Sequence, residues 1–577
     1  MSGAAGSREN VWTLLPQDEP SAAALAAETG CPGWLAATLV RRGILSGDDL
    51  QRWLHPRLAD LGDPLVLPDM EPAIRRILQA ITAGQRITIF GDYDVDGITG
   101  SALLADVLTK TGAAVATFLP HRLEEGYGLS PEALQRCLEE TCPALIITVD
   151  CGTGSVEAVE TAREAGVDVI VTDHHTVGDA VAPALAVINP RRASDTGLHV
   201  LAGVGVAFKV AHALLKLARR LADPPAWAAM DPKALLDLVA LGTVCDLVPL
   251  TGENRILVSH GLKVLSKTDR AGLRALMEVA KTGYVIGPYE VGFLLGPRLN
   301  AAGRLGTAQT ALRLLRTDHS AEAVELAAQL DRANRERQSV ERATVEDVQE
   351  RVARRFETGA CFAFVEADPG WHPGVVGIVA SRIMQKHGRP TIIIGADDQG
   401  RAKGSGRSIS GFNLVDALTE CRSLLVKHGG HAMAAGLEID WDNIDRFREA
   451  FGSVAARDLC GRSFVPELKL DGWIGLDDLT PEVLGILGKL GPYGIGNPEP
   501  VWGCRKAEWA VAPREVGSGH LKARFKQRVE AWDAIGFGLY QSDLSPDPVD
   551  LVFAIRRECY RGRESMVLHL KDLRESG

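Results

Sequence analysis

The chain has 577 residues, room for roughly four domains of about 150 residues each. At 46% hydrophobic and 24% charged, with 60 Gly and 29 Pro that follow no Gly-X-Y period, it is globular rather than collagen-like or wholly disordered. The 63 Lys and Arg against 74 Asp and Glu leave −11, which argues against indiscriminate coating of nucleic acid but allows a local basic groove.

The ten cysteines form no C-x-x-C pair and are too dilute for a disulfide scaffold, so they read as small buried hydrophobes. The start, MSGAAGSREN, lacks the basic and apolar regions of a signal peptide, and no run of 18 apolar residues exists. A cytoplasmic protein without membrane contact is expected.

Residues 1–75 carry short helical patterns such as GWLAATLVRR and no obvious chemistry. From 76 to 250, short apolar runs (ITIF, AVATF, LIITV, VIV, LAVI) alternate with segments of 3.6-residue periodicity such as SALLADVLTKTG. This alternation predicts a parallel sheet with helices on both faces. Residues 251–355 read as a helical connector that ends in a long solvated helix, because 321–355 contains neither Gly nor Pro. A second α/β domain is expected over 356–464, with strands at AFV and TIII. Short alternating strands over 465–577 suggest a small, OB-like β-barrel.

Chemistry concentrates at strand ends. GDYDVDG places Asp92, Asp94 and Asp96 after the ITIF strand. Taken alone it would also suit an Asp-rich turn; an EF-hand is excluded because a helix follows. LIITV ends in Asp150, and VIVT ends in Asp173-His174-His175. In an open parallel sheet, ligands bind beyond the carboxyl ends of the strands, so these groups share one edge. Asp246, in LGTVCDLVPL, would be costly to bury unpaired, although a lone Asp there is more often a cap. Crowded carboxylates call for a cation, and mixed carboxylate and imidazole donors favour Mn²⁺ or Mg²⁺ over structural zinc. The donors suffice for two divalent ions, the usual device for phosphodiester hydrolysis.

Together these motifs resemble the DHH phosphoesterases. Gly429-Gly430-His431 resembles the signature of the DHH-associated substrate domain. HRLEEGYGL (121–129), GPRLNAAGRL (296–305), WHPGVVGIVASR (371–382) and GSGRSI (404–409) narrow the likeness to the RecJ family of single-strand-specific 5′→3′ exonucleases. The resemblance covers about residues 70–577. It implies Asp94, Asp96, Asp150, His174 and Asp246 as metal ligands, with Asp150 bridging two ions and Asp92 in the same motif. It implies that His175 faces the scissile phosphate and that Asp173 orients the histidines. Arg122, Arg298, Arg304, Ser405, Arg407, Gly430 and His431 would grip a terminal 5′-phosphate, with the second α/β domain closing over the substrate. Each of these residues alone would more often be a turn or a solvated surface charge; Arg298 and Arg304 read as flanking an Asn-Ala-Ala-Gly turn.

The C-terminal segment adds a separate signal. Residues 501–577 hold 13 Lys and Arg against 11 Asp and Glu in an otherwise acidic chain. Lys522, Arg524, Lys526 and Arg528 alternate with other residues, so period 2 predicts one uniformly basic strand face that tracks single-stranded DNA. The expected activity is two-metal hydrolysis of single-stranded DNA to 5′-mononucleotides in repair and recombination. A single-strand-binding protein and a helicase are candidate partners, and a monomer is expected. The competing readings are a DHH hydrolase of small phosphates, which the barrel disfavours, and a non-catalytic replication scaffold, which the complete donor set disfavours.

Overall fold

The computed structural model describes residues 10–121, 125, 128–193, 196–305, 307–358, 361–397, 399–541, 548–560 and 563–576. Among the described residues no helix is long and apolar enough to cross a membrane. The chain forms two compact units. One comprises 12–300, 308–327 and 467–577; the other is built mainly from 328–466.

The first unit contains a five-stranded parallel sheet ordered Ala114–Phe118, Arg86–Gly91, Leu145–Val149, Asp168–Thr172, Ala186–Ile188. Its inner strands Leu145–Val149 and Asp168–Thr172 are mostly apolar and, Asp168 apart, buried, as helices on both faces require. The order reverses direction between Arg86–Gly91 and Leu145–Val149, which opens a crevice at their carboxyl ends. Helix Val95–Lys110 is buried on nearly every side, against helices Gly203–Ala218 and Leu236–Cys245.

The same unit holds a closed barrel of five strands: Trp502–Val516, His520–Lys526, Ala531–Gly536, Arg563–Glu575 and Val549–Tyr560, which pairs back to the first. Closure removes the sheet edges. Leu521, Ala523 and Phe525 point inward and share a core with Trp502 and Phe553. The sequence gives no hint that Leu25, Leu35, Leu39 and Ile44, from the helices near the N-terminus, join this same core.

In the second unit a five-stranded sheet runs Leu425–His431, Ala434–Ile439, Ala402–Arg407, Thr391–Ala396, Phe364–Ala367. Helix Pro373–His387 and the end of helix Ser320–Thr358 cover one face through Val376, Val379, Val348 and Val352. Phe412, Phe447 and Phe451 cover the other.

Arg255 ties three segments of the first unit together. Its buried guanidinium stacks 4.2 Å above the Trp53 ring and donates to the carbonyls of Leu490, Trp53 and Lys489 at 2.9, 3.0 and 3.0 Å. Arg255→Ala removes the ring stack and three hydrogen bonds, although Leu490 O keeps its bond from Asn497 Nδ2 at 3.0 Å, and urea unfolding is expected to show a loss of roughly 2–5 kcal/mol. Arg255→Lys should recover only part, because an ammonium lacks the planar fork. Full stability of the alanine variant would show that the carbonyls find other donors.

Candidate metal centre and phosphate-binding residues

Each acidic strand end extends the ladder by one bond. Asp92 N donates to Val149 O at 3.1 Å, Asp150 N to Thr172 O at 2.9 Å, and Asp173 N to Ile188 O at 3.1 Å. These bonds hold the three side chains at one rim. Asp94 then caps helix Val95–Lys110, its Oδ1 accepting from Asp96 N at 2.9 Å and Gly97 N at 3.1 Å. That turn needs glycine at 97, since a Cβ there would lie 2.5 Å from the Asp92 carbonyl oxygen. Asp150 adopts a φ of 65°, unusual for a non-glycine residue and a form of strain typical of functional sites.

All seven expected residues converge. Ligand atoms of Asp92, Asp94 and Asp150, of Asp150, His174 and His175, and of Asp96, His174 and Asp246 lie within 4.8 Å of one another in each group. His174 Nε2 stands 3.1 Å from Asp150 Oδ1 and 3.5 Å from Asp246 Oδ2. Asp173 has a different role. It accepts from Thr153 N, His174 N and His175 N at 3.0, 2.7 and 3.1 Å, and it contacts His175 Nδ1 at 2.8 Å.

Several supporting residues give no signal as chemistry in the sequence. Gly203 N and Val204 N, which open helix Gly203–Ala218, donate to Asp96 at 2.5 and 2.8 Å and so place positive dipole ends against it. A Cβ at Gly203 would meet Asp150 at 2.7 Å, so glycine permits the close approach. Arg191 Nε donates to His174 O at 2.7 Å, and Asn189 Nδ2 donates to His175 O at 3.0 Å. The Asn-Pro-Arg run after the last strand is the one cue that could have marked these two residues.

The electrostatics follow from crowding. Burial, and then Asp94, push Asp96 up to about 7. Burial and the charges of Asp96 and Asp94 push Asp246 up to about 9. Asp150 is pushed well above the carboxylate range by burial and by its acidic neighbours. Burial lowers His174 to about 4, which favours the neutral, ligating imidazole. Asp173 falls despite its burial, because the bonds from His175 and Thr153 favour its charged form. His175 is also buried, but Asp173 holds it above the ordinary histidine value.

These residues fit divalent cations. His174 Nε2 and Asp246 Oδ2 are buried and hydrogen-bonded to nothing among the described residues, as expected of donors arranged for a metal.

The other expected residues lie elsewhere. Arg122 falls outside the described residues. The expected Asn-Ala-Ala-Gly turn is instead part of helix Gly296–Leu305, because its alanines are good helix formers with a buried face. Arg298 and Arg304, on that helix, donate to Leu294 O at 2.7 Å and to Gly374 O at 3.1 Å. Arg407 Nη1 donates to Ser405 Oγ at 2.9 Å. Gly377 leaves room for this pair, since a Cβ there would lie 3.0 Å from Ser405 Oγ and 3.1 Å from Arg407 Nη2. Gly429-Gly430-His431 is an edge strand rather than a turn, and both His431 and Arg407 pair with Ala434. Gly430 has a φ of 142°, and a Cβ there would stand 2.5 Å from Ala434 O.

The barrel face needs correction. Lys522, Arg524 and Lys526 do point outward from strand His520–Lys526, but Arg528 lies beyond its end. Nor is the face uniformly basic. Asp533 lies opposite Arg524 and pairs with it at 3.1 Å, and Glu508 lies opposite Lys526 at 3.6 Å. Period 2 fixes a residue's own face but says nothing of the strand that comes to lie beside it.

Metal and pH are therefore linked. The unfolded chain loses the Asp96, Asp150 and Asp246 protons near pH ~4. The metal-free fold retains protons longer, at Asp96 to about 7 and at Asp246 to about 9. Between those values the fold binds more protons than the unfolded chain, so its stability falls as pH rises. Bound Mn²⁺ offsets the repulsion, so its stabilising shift in Tm is expected to be larger at pH 8 than at pH 6. Parallel pH profiles with and without Mn²⁺ would contradict this account.

Comparison with known proteins agrees with the site. Residues 86–243 match the DHH family N-terminal domain, 357–457 the DHHA1 domain and 470–572 the RecJ OB domain. The chain is 37% identical over 571 residues to the single-stranded-DNA-specific exonuclease RecJ of Bacillus subtilis, covering 97% of this chain and 70% of that protein. It is 36% identical over 563 residues to the Escherichia coli protein of that name, covering 94% and 96%. Among solved structures, RecJ of Thermus thermophilus in complex with Mn²⁺ superposes with a TM-score of 0.81 at 33% identity, covering 98% of this chain and 79% of that one. The complex of that enzyme with Mg²⁺ gives 0.74 at 32%, covering 98% and 78%. On this identity and coverage, the chain belongs to the RecJ family of DHH proteins.

Proposed function

We propose that the protein is a single-stranded-DNA-specific exonuclease that hydrolyses phosphodiesters with two divalent ions, Mn²⁺ or Mg²⁺, and proceeds 5′→3′ to release 5′-mononucleotides. The observation that carries this reading is the three overlapping donor groups joined through Asp150 and His174. Asp94, Asp96, Asp150, His174 and Asp246 would hold the ions, Asp150 being the carboxylate suited to serve both, and Asp92 shares the donor group of Asp94 and Asp150. When bound, the ions supply Lewis-acid stabilisation of the charge that develops on the phosphate. Asp173 fixes the ring of His175 and holds its pKa above the ordinary histidine value, which favours a hydrogen bond or positive charge toward the scissile phosphate. Helix Gly203–Ala218 supports Asp96 in its charged form from behind.

End recognition falls to Arg122, Arg298, Arg304, Ser405, Arg407, Gly430 and His431, with the guanidinium and hydroxyl of the Arg407–Ser405 pair suited to a 5′-phosphate. Lys522, Arg524, Lys526 and Arg528 then follow the strand's backbone, Arg524 and Lys526 by exchanging their acidic partners for phosphates. In the cytoplasm a helicase and a single-strand-binding protein would deliver substrate to a monomer. The five-part division at 75, 250, 355 and 464 remains our functional partition of the chain.

Single-stranded DNA labelled at either end, digested with Mn²⁺, tests the polarity. A 5′ label should appear at once as mononucleotide, while a 3′ label should shorten as a ladder; the reverse pattern would overturn the direction. Asp150→Asn should abolish cleavage while leaving most DNA binding. Arg407→Ala should weaken 5′-phosphorylated DNA roughly 10- to 150-fold more than 5′-hydroxyl DNA, the worth of about 1.5–3 kcal/mol for a charge-assisted bond. Equal losses would assign Arg407 to structure.

A further inference from the structure

Beside Asp246, within the first unit, lies a cavity of about 520 Å³ that none of the roles above uses. Its walls include Val244 and Leu247, on either side of that aspartate in sequence, together with Ile495 and, from barrel strand Val549–Tyr560, Arg556. Tyr289 and Phe293 line it as well. Tyr289 lies at the edge of a wide π-type turn, Glu290–Leu295, and the four-residue spacing puts both rings on one face. Their centroids are 5.1 Å apart and the planes differ by 27°.

Both rings are exposed, Tyr289 by 59% and Phe293 by 69%, and Leu247 beside them by 69%. Large apolar side chains clustered in the open usually mark a binding surface. The charges in the wall decide what binds. Glu290 and Glu499 balance Arg556 and Arg557, and Glu499 holds Arg556 at 2.6 and 2.7 Å. A groove for phosphates would be basic, whereas this one is neutral and aromatic. It suits the flat, uncharged face of a nucleobase. Its lining comes both from the segment that carries Asp246 and from the barrel strand Val549–Tyr560, so the cavity joins the two parts of this unit that the exonuclease reading assigns to DNA.

We propose that Tyr289 and Phe293 form a base-stacking platform for unpaired nucleobases of the DNA strand that passes between the metal centre and the barrel. The proposal rests on the exonuclease reading above. A paired base cannot turn its face to the rings, so the platform selects single strands by chemistry as well as by shape. Glu290 and the Arg556–Glu499 pair leave the backbone unheld here, so the platform is indifferent to sequence and lets the strand advance.

The test uses the full-length protein with Tyr289→Leu and Phe293→Leu, which keep an apolar surface but remove the ring faces. Both side chains are exposed, so unchanged melting temperature and Mn²⁺-induced stabilisation are expected. The probes are 5′-phosphorylated oligonucleotides with one abasic site moved stepwise from the 5′ end. Wild type should bind most of them normally and one or two positions on the order of 5- to 150-fold more weakly, the range of one lost base stack. Each leucine variant should bind intact DNA more weakly and lose that positional dependence, and Phe293→Tyr should restore it. If wild type degrades single-stranded DNA but both variants bind every probe as wild type does, the platform is overturned and the cleft is left to a protein segment. If wild type does not degrade single-stranded DNA at all, the exonuclease reading fails and the platform with it.

Discussion

Everything at the metal centre depends on keeping several carboxylates closer together than their charges favour. Asp92, Asp94, Asp96, Asp150 and Asp246 fall in overlapping groups of donors within 4.8 Å, in surroundings that exclude most water. Such a cluster repels itself, and the fold restrains it mainly with backbone devices, Arg191 adding a positive charge felt at Asp246. Parallel strand ends deliver Asp92 and Asp150, and the left-handed backbone at Asp150 aims the second of them. A helix N-terminus holds Asp96, and glycines at 97 and 203 allow contacts that no other residue would permit. The stored repulsion is what gives a cation its affinity.

Around this centre the histidines divide the work. His174 is buried among the acids and kept neutral, suited to ligation. His175, one residue later, is turned by Asp173 and stays more basic, suited to an anion. Two adjacent residues of the same type thus differ in chemistry because one carboxylate serves the second ring. Asn189 and Arg191 hold the peptide units of this pair in turn, so the last strand of the sheet contributes positioning and no ligand.

The barrel is anchored as firmly as the sheet. Its interior is continuous with apolar side chains of the N-terminal helices, and Arg255 adds three bonds to backbone carbonyls of Trp53, Lys489 and Leu490. The rings of Tyr289 and Phe293 stand exposed and stacked on each other, in contrast to the buried Trp502, Phe525 and Phe553 of the barrel core. On the barrel's outer face Arg524 and Lys526 are paired with Asp533 and Glu508 of the neighbouring strands, exposed pairs that contribute little to stability.

The strands, the helices and the meeting of the acidic and histidine side chains at one sheet edge were legible in the sequence because each is a local pattern. Period-2 and 3.6-residue repeats mark the elements, and parallel strands send their carboxyl ends to one edge, so GDYDVDG, Asp150 and Asp173-His174-His175 had to meet. The barrel was legible for the same reason, from its short alternating strands. Tertiary structure alone decided what is non-local. It put the start of helix Gly203–Ala218 behind Asp96, Asp533 opposite Arg524, the N-terminal helices in the barrel's core, and a helix where GPRLNAAGRL had suggested a turn. These outcomes depend on which surfaces come to face each other across hundreds of residues. A chain's own periodicity fixes the face a side chain takes, and only packing chooses the neighbour that face will meet.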